Sequence, residues 1–214
     1  VVHESGHEWF GNSITSQDIA DMWVHEAFTT YTESVYVECR WGYDSAMKYI
    51  NGQSRAIRND RPIVGIFGVN KEGSGDMYFK GTLMLNTIRH IIDDDDKWWA
   101  MLLKFAETYK KQIVTGKQVI GFFNLESGIN LTPVFNQYLH YTSIPVLEVR
   151  RKGKHLQYRW SADEPGFAMP VDIFISGAKT RIVPTHNWQK AGPVKSIGEI
   201  EADTQKFLIR VKKV

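Results

Sequence analysis

The chain has 214 residues, of which 43% are hydrophobic and 23% charged, a composition ordinary for a soluble globular protein of one or two domains. With 26 basic against 24 acidic residues, the net charge of +2 gives no electrostatic reason for nucleic acid or an anionic membrane as partner. One cysteine, Cys39, excludes an intrachain disulfide and a cysteine-based metal site, and no apolar run reaches the roughly 18–20 residues that span a bilayer. The opening VVHESGHEW has neither the basic nor the apolar region of a signal peptide, so the compartment stays unknown.

Residues 1–143 read as helical. A first helix is expected over about 2–10, followed by the polar turn segment GNSITSQD (11–18). Asp18 or Asp21 can cap a second helix that runs to about Trp41, with Met22, Trp23, Phe28, Val35 and Tyr36 at three- and four-residue spacing. Cys39 falls in that pattern and is expected to be a buried, inert thiol. A third helix follows over about 44–58, then a Gly-rich loop, RPIVGIFGVNKEGSGD (61–76). Further helices are expected over 77–92, after the aspartates 93–96, over GKQVIGFFNLESG and over TPVFNQYLHY. The four aspartates suit the positive end of a helix, and Thr132 with Pro133 reads as N-cap and first helical residue.

After Ser143 the period changes to two: PVLEVRRK, HLQYRW, PVDIFISG, KTRIVPT and KFLIRVKK alternate apolar and polar residues between turn signals. Residues 144–214 are therefore expected to form a small antiparallel β-sandwich. The fold class is α+β: a mainly helical part, 1–143, followed by that sandwich.

The chemistry is concentrated at the start. His3 and His7 lie four apart, so a helix presents both imidazoles on one face, and Glu4 is placed to reach a metal-bound water without itself being a ligand. H-E-x-x-H in this form is a zinc pattern with the Glu as general base. A third ligand is required, and DMWVHEAFTTYTE offers Glu26, nineteen residues after His7, or the adjacent His25. The two point about 100° apart on a helix, so only one faces the site, and Glu26 is modestly preferred.

HESGHEWFGN followed by WVHEAFTTYTE, and then Tyr78-Phe79-Lys80-Gly81, resembles the M1 family of zinc aminopeptidases, with HExxH, eighteen residues, Glu and a downstream Y-x-K-G. The resemblance extends through the later helices and the strands, and so over essentially the whole chain. It implies a thermolysin-like catalytic subdomain that binds one Zn2+ through His3, His7 and Glu26. It implies Glu4 as general base, Tyr78 as stabiliser of the oxyanion, and hydrolysis of peptides with a free N-terminus. Glu33, two turns beyond Glu26, is a candidate for orienting a ligand, with a solvated helix acid as the equal alternative. His90, His140, His155 and His186 lack metal-like spacing and read as structural.

Two departures qualify the resemblance. Gly6 stands where the family usually has Ala, which would permit close packing. The family's G-x-M-E-N segment, whose Glu binds the substrate's α-amine, is absent. The chain is therefore expected to be a piece that lacks its N-terminal part, exposes apolar surface where a sheet belongs, binds zinc weakly or not at all if that sheet is needed to order the first helix, and is inactive alone. Three other readings are a thermolysin-type endopeptidase, which prefers Asp where Thr30 stands, a leukotriene A4 hydrolase-like epoxide hydrolase, and a non-catalytic M1-like scaffold.

Overall fold

A computed structural model describes all 214 residues. Its helices are α1 (Val2–Gly6), α2 (Trp23–Trp41), α3 (Tyr43–Gly52), α4 (Asp76–Ile92), α5 (Asp95–Thr108), α6 (Gly116–Ser127) and α7 (Thr132–His140). Among them, β1 (Ile14–Ser16) pairs in parallel with β2 (Gln112–Val114). No helix is long and apolar enough to cross a membrane.

The first helix is shorter than its sequence pattern predicts. It ends at Gly6, and the chain turns so that Phe10 enters the core and Ile14 donates its N–H to the Trp9 carbonyl. The second starts later than expected. Asp18 caps a single 3-10 turn, Ile19–Asp21, and Asp21 is buried, accepting from the Trp23 indole and the Gly116 N–H. Thr132 is inside α7 rather than at its cap, because its hydroxyl instead accepts from the Asn124 amide; Leu131 occupies the cap. The aspartate run divides its labour. Asp93 closes α4 in a left-handed conformation, and Asp94 caps α5 by accepting from the Lys97 N–H.

Cys39 is exposed, contrary to expectation. The buried positions of α2 run from Trp23 to Ser34, so its last turns outrun the core and leave the thiol in solvent.

The strands β3 (Val146–Lys152), β4 (His155–Ser161), β5 (Val171–Ile175), β6 (Ala178–Ile182), β7 (Gln189–Pro193), β8 (Ile200–Ala202) and β9 (Arg210–Lys213) form two sheets, ordered β7-β4-β3-β9 and β6-β5-β8. All pairs are antiparallel except β3 with β9, which run parallel. Alternation is clear in β4, where Leu156, Tyr158 and Trp160 point inward. β7 (QKAGP) shows no apolar–polar alternation, and the three residues of β8 are too few to display a period.

One hydrophobic cluster runs from the helices into both sheets. It joins the aromatic stack of Phe10, Phe28, Phe105 and Phe123 to Leu147, Trp160 and Ile173. The helical and strand parts are also tied by hydrogen bonds. Tyr138 donates its hydroxyl to the Leu208 carbonyl, and Arg181 reaches the last carbonyls of α4 at His90 and Ile91. The fold is therefore α+β, as the sequence pattern implies.

Candidate metal centre

Three helices meet at the site. Across α1 and its C-cap residue His7, the four-residue spacing sets the His3 and His7 rings 4.9 Å apart, nearly perpendicular. Gly6 lies on the side of α1 that faces α2. A Cβ there would come within 2.6 Å of Thr32 Oγ1 and 3.1 Å of Thr29 Cγ2, so the glycine lets the two helices lie flush. Glu26, in the first turn of α2, thereby reaches both rings: its Oε2 is 3.4 Å from His3 Nε2 and 3.5 Å from His7 Nε2. One donor atom from each of these three residues lies within 4.8 Å of the others.

The far side of each ring is held. His3 Nδ1 is 3.0 Å from Glu33 Oε1, and His7 Nδ1 is 2.9 Å from the Phe10 carbonyl. An ionised carboxylate and a carbonyl can only accept, so each imidazole carries its proton on Nδ1 when neutral and turns the lone pair of Nε2 toward Glu26. Glu26 Oε2 is then a buried oxygen with no hydrogen-bond partner, facing two further lone pairs. Such an atom costs stability unless something positive lies there.

The third helix, α4, brings Tyr78. Its ring centroid is 6.0 Å from that of His3. Two features of the same turn set its position. Gly81 abuts Ala27 so closely that a Cβ would come within 2.7 Å of the alanine's Cβ, and Lys80 is buried, donating to the Tyr141 carbonyl at 2.8 Å. Burial, then the charge of Glu26 and hydrogen bonding to its carboxylate, with smaller effects of Glu72 and Glu4, hold the Tyr78 pKa above its ordinary value. The hydroxyl is a proton donor at neutral pH. Glu4 is exposed, and its charge is felt at Tyr78.

His25 is turned elsewhere: its Nε2 accepts the Ser16 N–H at 2.7 Å. Burial, then the nearby His7, lowers its pKa, consistent with a neutral acceptor tied to β1. His90 and His186 likewise face hydrogen-bond partners away from the site.

Three contributors were not read from the sequence. Thr29 has its hydroxyl 3.2 Å from both His7 Nδ1 and the Phe10 carbonyl, and its place one turn after Glu26 was an available signal. The Phe10 carbonyl depends on the turn after α1, which the expected longer helix would have removed. Tyr49, on α3, donates its hydroxyl to Glu33 Oε2, and nothing local marks it.

Residues 1–138 match the family model for the peptidase family M1 domain, and the chain belongs to that family. It is similar to rat (Rattus norvegicus) aminopeptidase B, 22% identical over 212 residues covering 84% of this chain and 32% of that protein. It is also similar to aminopeptidase N of Lactococcus lactis subsp. lactis, 25% identical over 162 residues covering 69% of this chain and 19% of that protein. The chain thus spans about a third or less of the length of these curated relatives. In fold it is similar to Legionella pneumophila aminopeptidase A, whose structure is a complex with aspartic acid. That likeness has a TM-score of 0.72 at 14% identity, covering 98% of this chain and 26% of that one. An M1 zinc metallopeptidase E323A mutant from Deinococcus radiodurans, bound to a Tyr-Ser-Ala substrate, aligns with a TM-score of 0.58 at 20% identity, over 67% of this chain and 33% of that one.

Proposed function

We propose that this chain carries the zinc centre of an aminopeptidase, a hydrolase that removes N-terminal residues from peptides, with His3, His7 and Glu26 as the metal ligands. The single observation that carries the reading is the convergence of three possible ligand atoms, two Nε2 and Glu26 Oε2, within 4.8 Å of one another, the last a buried oxygen with no hydrogen-bond partner. Ligands about 2.1 Å from a tetrahedral zinc stand about 3.4 Å apart. The separations of 3.4 and 3.5 Å fit that requirement, and two imidazoles with one carboxylate are a common catalytic zinc set.

Zinc held there would supply a water acidified to a pKa near 7 and a Lewis acid for the peptide carbonyl. Glu4 accepts the proton of the attacking water and returns it to the leaving amine. Tyr78 donates its hydroxyl to the carbonyl oxygen as negative charge develops there, a contribution that grows toward the transition state. Glu33 and the Phe10 carbonyl hold the two imidazoles in the tautomer that ligation needs. The relatives' names support a substrate with a free N-terminus. No G-x-M-E-N segment lies within these 214 residues to read that amine, so we expect them not to turn over peptide alone. The presence of all five principal residues weighs against a non-catalytic scaffold.

The test uses aminoacyl chromogenic substrates and a polypeptide of the relatives' length that contains these residues. Chelator should abolish turnover. Glu4→Gln should lower it by about 10²–10⁴ while zinc content is unchanged. Full activity in Glu4→Gln would sink the mechanism, and equal cleavage of N-blocked peptides would sink the aminopeptidase reading.

A further inference from the structure

The chain of contacts behind His3 extends one residue further than the zinc reading requires. His3 Nδ1 meets Glu33 Oε1 at 3.0 Å, and the other oxygen, Glu33 Oε2, accepts the Tyr49 hydroxyl. Tyr49 comes from α3, a different helix from either of its partners'. Glu33 is only partly buried, so its carboxylate could otherwise rotate or turn to solvent, releasing the imidazole. A second, directional donor on Oε2 fixes the carboxylate plane and commits Oε1 to histidine.

We infer that Tyr49 is a positioning residue for the metal site: through Glu33 it holds His3 as the Nδ1–H tautomer, with Nε2 directed at the ion. The inference rests on the zinc reading above and goes beyond it by assigning a role to a residue that touches neither metal nor substrate. Burial, then Glu33, pushes the Tyr49 pKa up to about 12, so the hydroxyl remains a donor throughout the working range. α3 packs along α2 and begins directly after it, past the positive-φ Gly42, so Tyr49 also reports the seating of α3 to the site.

The test is a double-mutant cycle read by zinc affinity, with a chromogenic chelator as competitor, together with the His3 tautomer in metal-free protein at pH 8 by two-bond 1H–15N correlation. Glu33→Gln should weaken zinc by about 10–100-fold. Tyr49→Phe should weaken it by about three- to tenfold, a smaller share of the same outer-partner effect, and move His3 toward a mixture of tautomers. In the Glu33→Gln background, Tyr49→Phe should cost nothing further. A Tyr49→Phe protein with unchanged affinity and tautomer overturns the inference. So does an undiminished penalty in the Glu33→Gln background, which would mark a merely structural effect. If Tyr49→Phe does not fold, the unsubstituted protein decides: a low-field, slowly exchanging Tyr49 hydroxyl proton that Glu33→Gln removes is expected, and its absence overturns the relay. Failure of a polypeptide of the relatives' length to bind zinc would defeat the zinc reading itself, while the tautomer measurement would still decide the relay.

Discussion

Two places in this molecule gather charged groups against the helical core, and they are built in opposite ways. Around Arg89 each guanidinium nitrogen donates to a carboxylate. Glu38 takes Nη1 and Nη2 at 2.6 and 2.8 Å, Asp95 takes Nε and Nη2 at 2.8 Å each, and the Tyr43 and Trp99 rings flank the guanidinium. Around Glu26 the accounts are left open: two imidazole Nε2 atoms face a buried carboxylate oxygen that has no hydrogen-bond partner. The first arrangement holds helices together. On the zinc reading proposed above, the second is unfavourable until a cation occupies it, and Glu33 and the Phe10 carbonyl hold its two imidazoles in place. A closed cluster supplies stability, and an open one stores the capacity to bind.

The contrast can be broken at either end. The largest effect should come from Arg89→Ala, which leaves Glu38 and Asp95 without their partner. We expect a loss of about 3–5 kcal/mol, read by denaturant unfolding, and a loss under 1 kcal/mol would mean the cluster is not closed in solution. Next is acid. Burial, and secondarily Arg89 and Lys206, lowers the His90 pKa to about 4, although its bond to the Asn86 carbonyl and the charge of Asp95 act the other way. The unfolded side chain takes up its proton near 6.5, so the stability His90 contributes is present above pH 6.5 and is lost as pH falls toward 4. The loss should reach about 2–3 kcal/mol, and His90→Asn should flatten that part of the pH–stability curve. The smallest effect on stability belongs to the open site. Glu26→Gln should leave the metal-free fold within about 1 kcal/mol of the original, or raise it, because the amide can donate where the carboxylate could only accept. Dialysis should show zinc affinity falling by more than the about 100-fold that loss of an outer partner costs. A variant that unfolds while binding zinc normally would reverse the contrast.

Much of this was legible in the sequence because helical spacing is a strict code. Four residues place His3 beside His7, and seven place Glu33 on the face of Glu26, so the geometry follows once a helix is assumed. The strands β3 to β6 were legible for the same reason, through their period of two. What escaped depended on contacts with no fixed spacing. Asp21 looks like a cap yet serves a distant backbone N–H at Gly116. Thr132 looks like a cap yet accepts from Asn124. Tyr49 reaches Glu33 only because α3 folds back along α2. Cys39 was misread because a continuous apolar pattern does not say where the core ends.

Consider Lys80 once more. It donates to the carbonyls of Tyr141 and Thr142, where the helices give way to strands, while Tyr78, two residues earlier and about 200° round the same helix, stands at the site. Anyone transplanting this helical scaffold onto a different C-terminal module would be cutting at those two carbonyls. The graft would loosen the mooring of α4, and the first thing to go out of alignment would be a phenol on its opposite face. The strands, which supply none of the residues of the proposed site, are part of its tolerances.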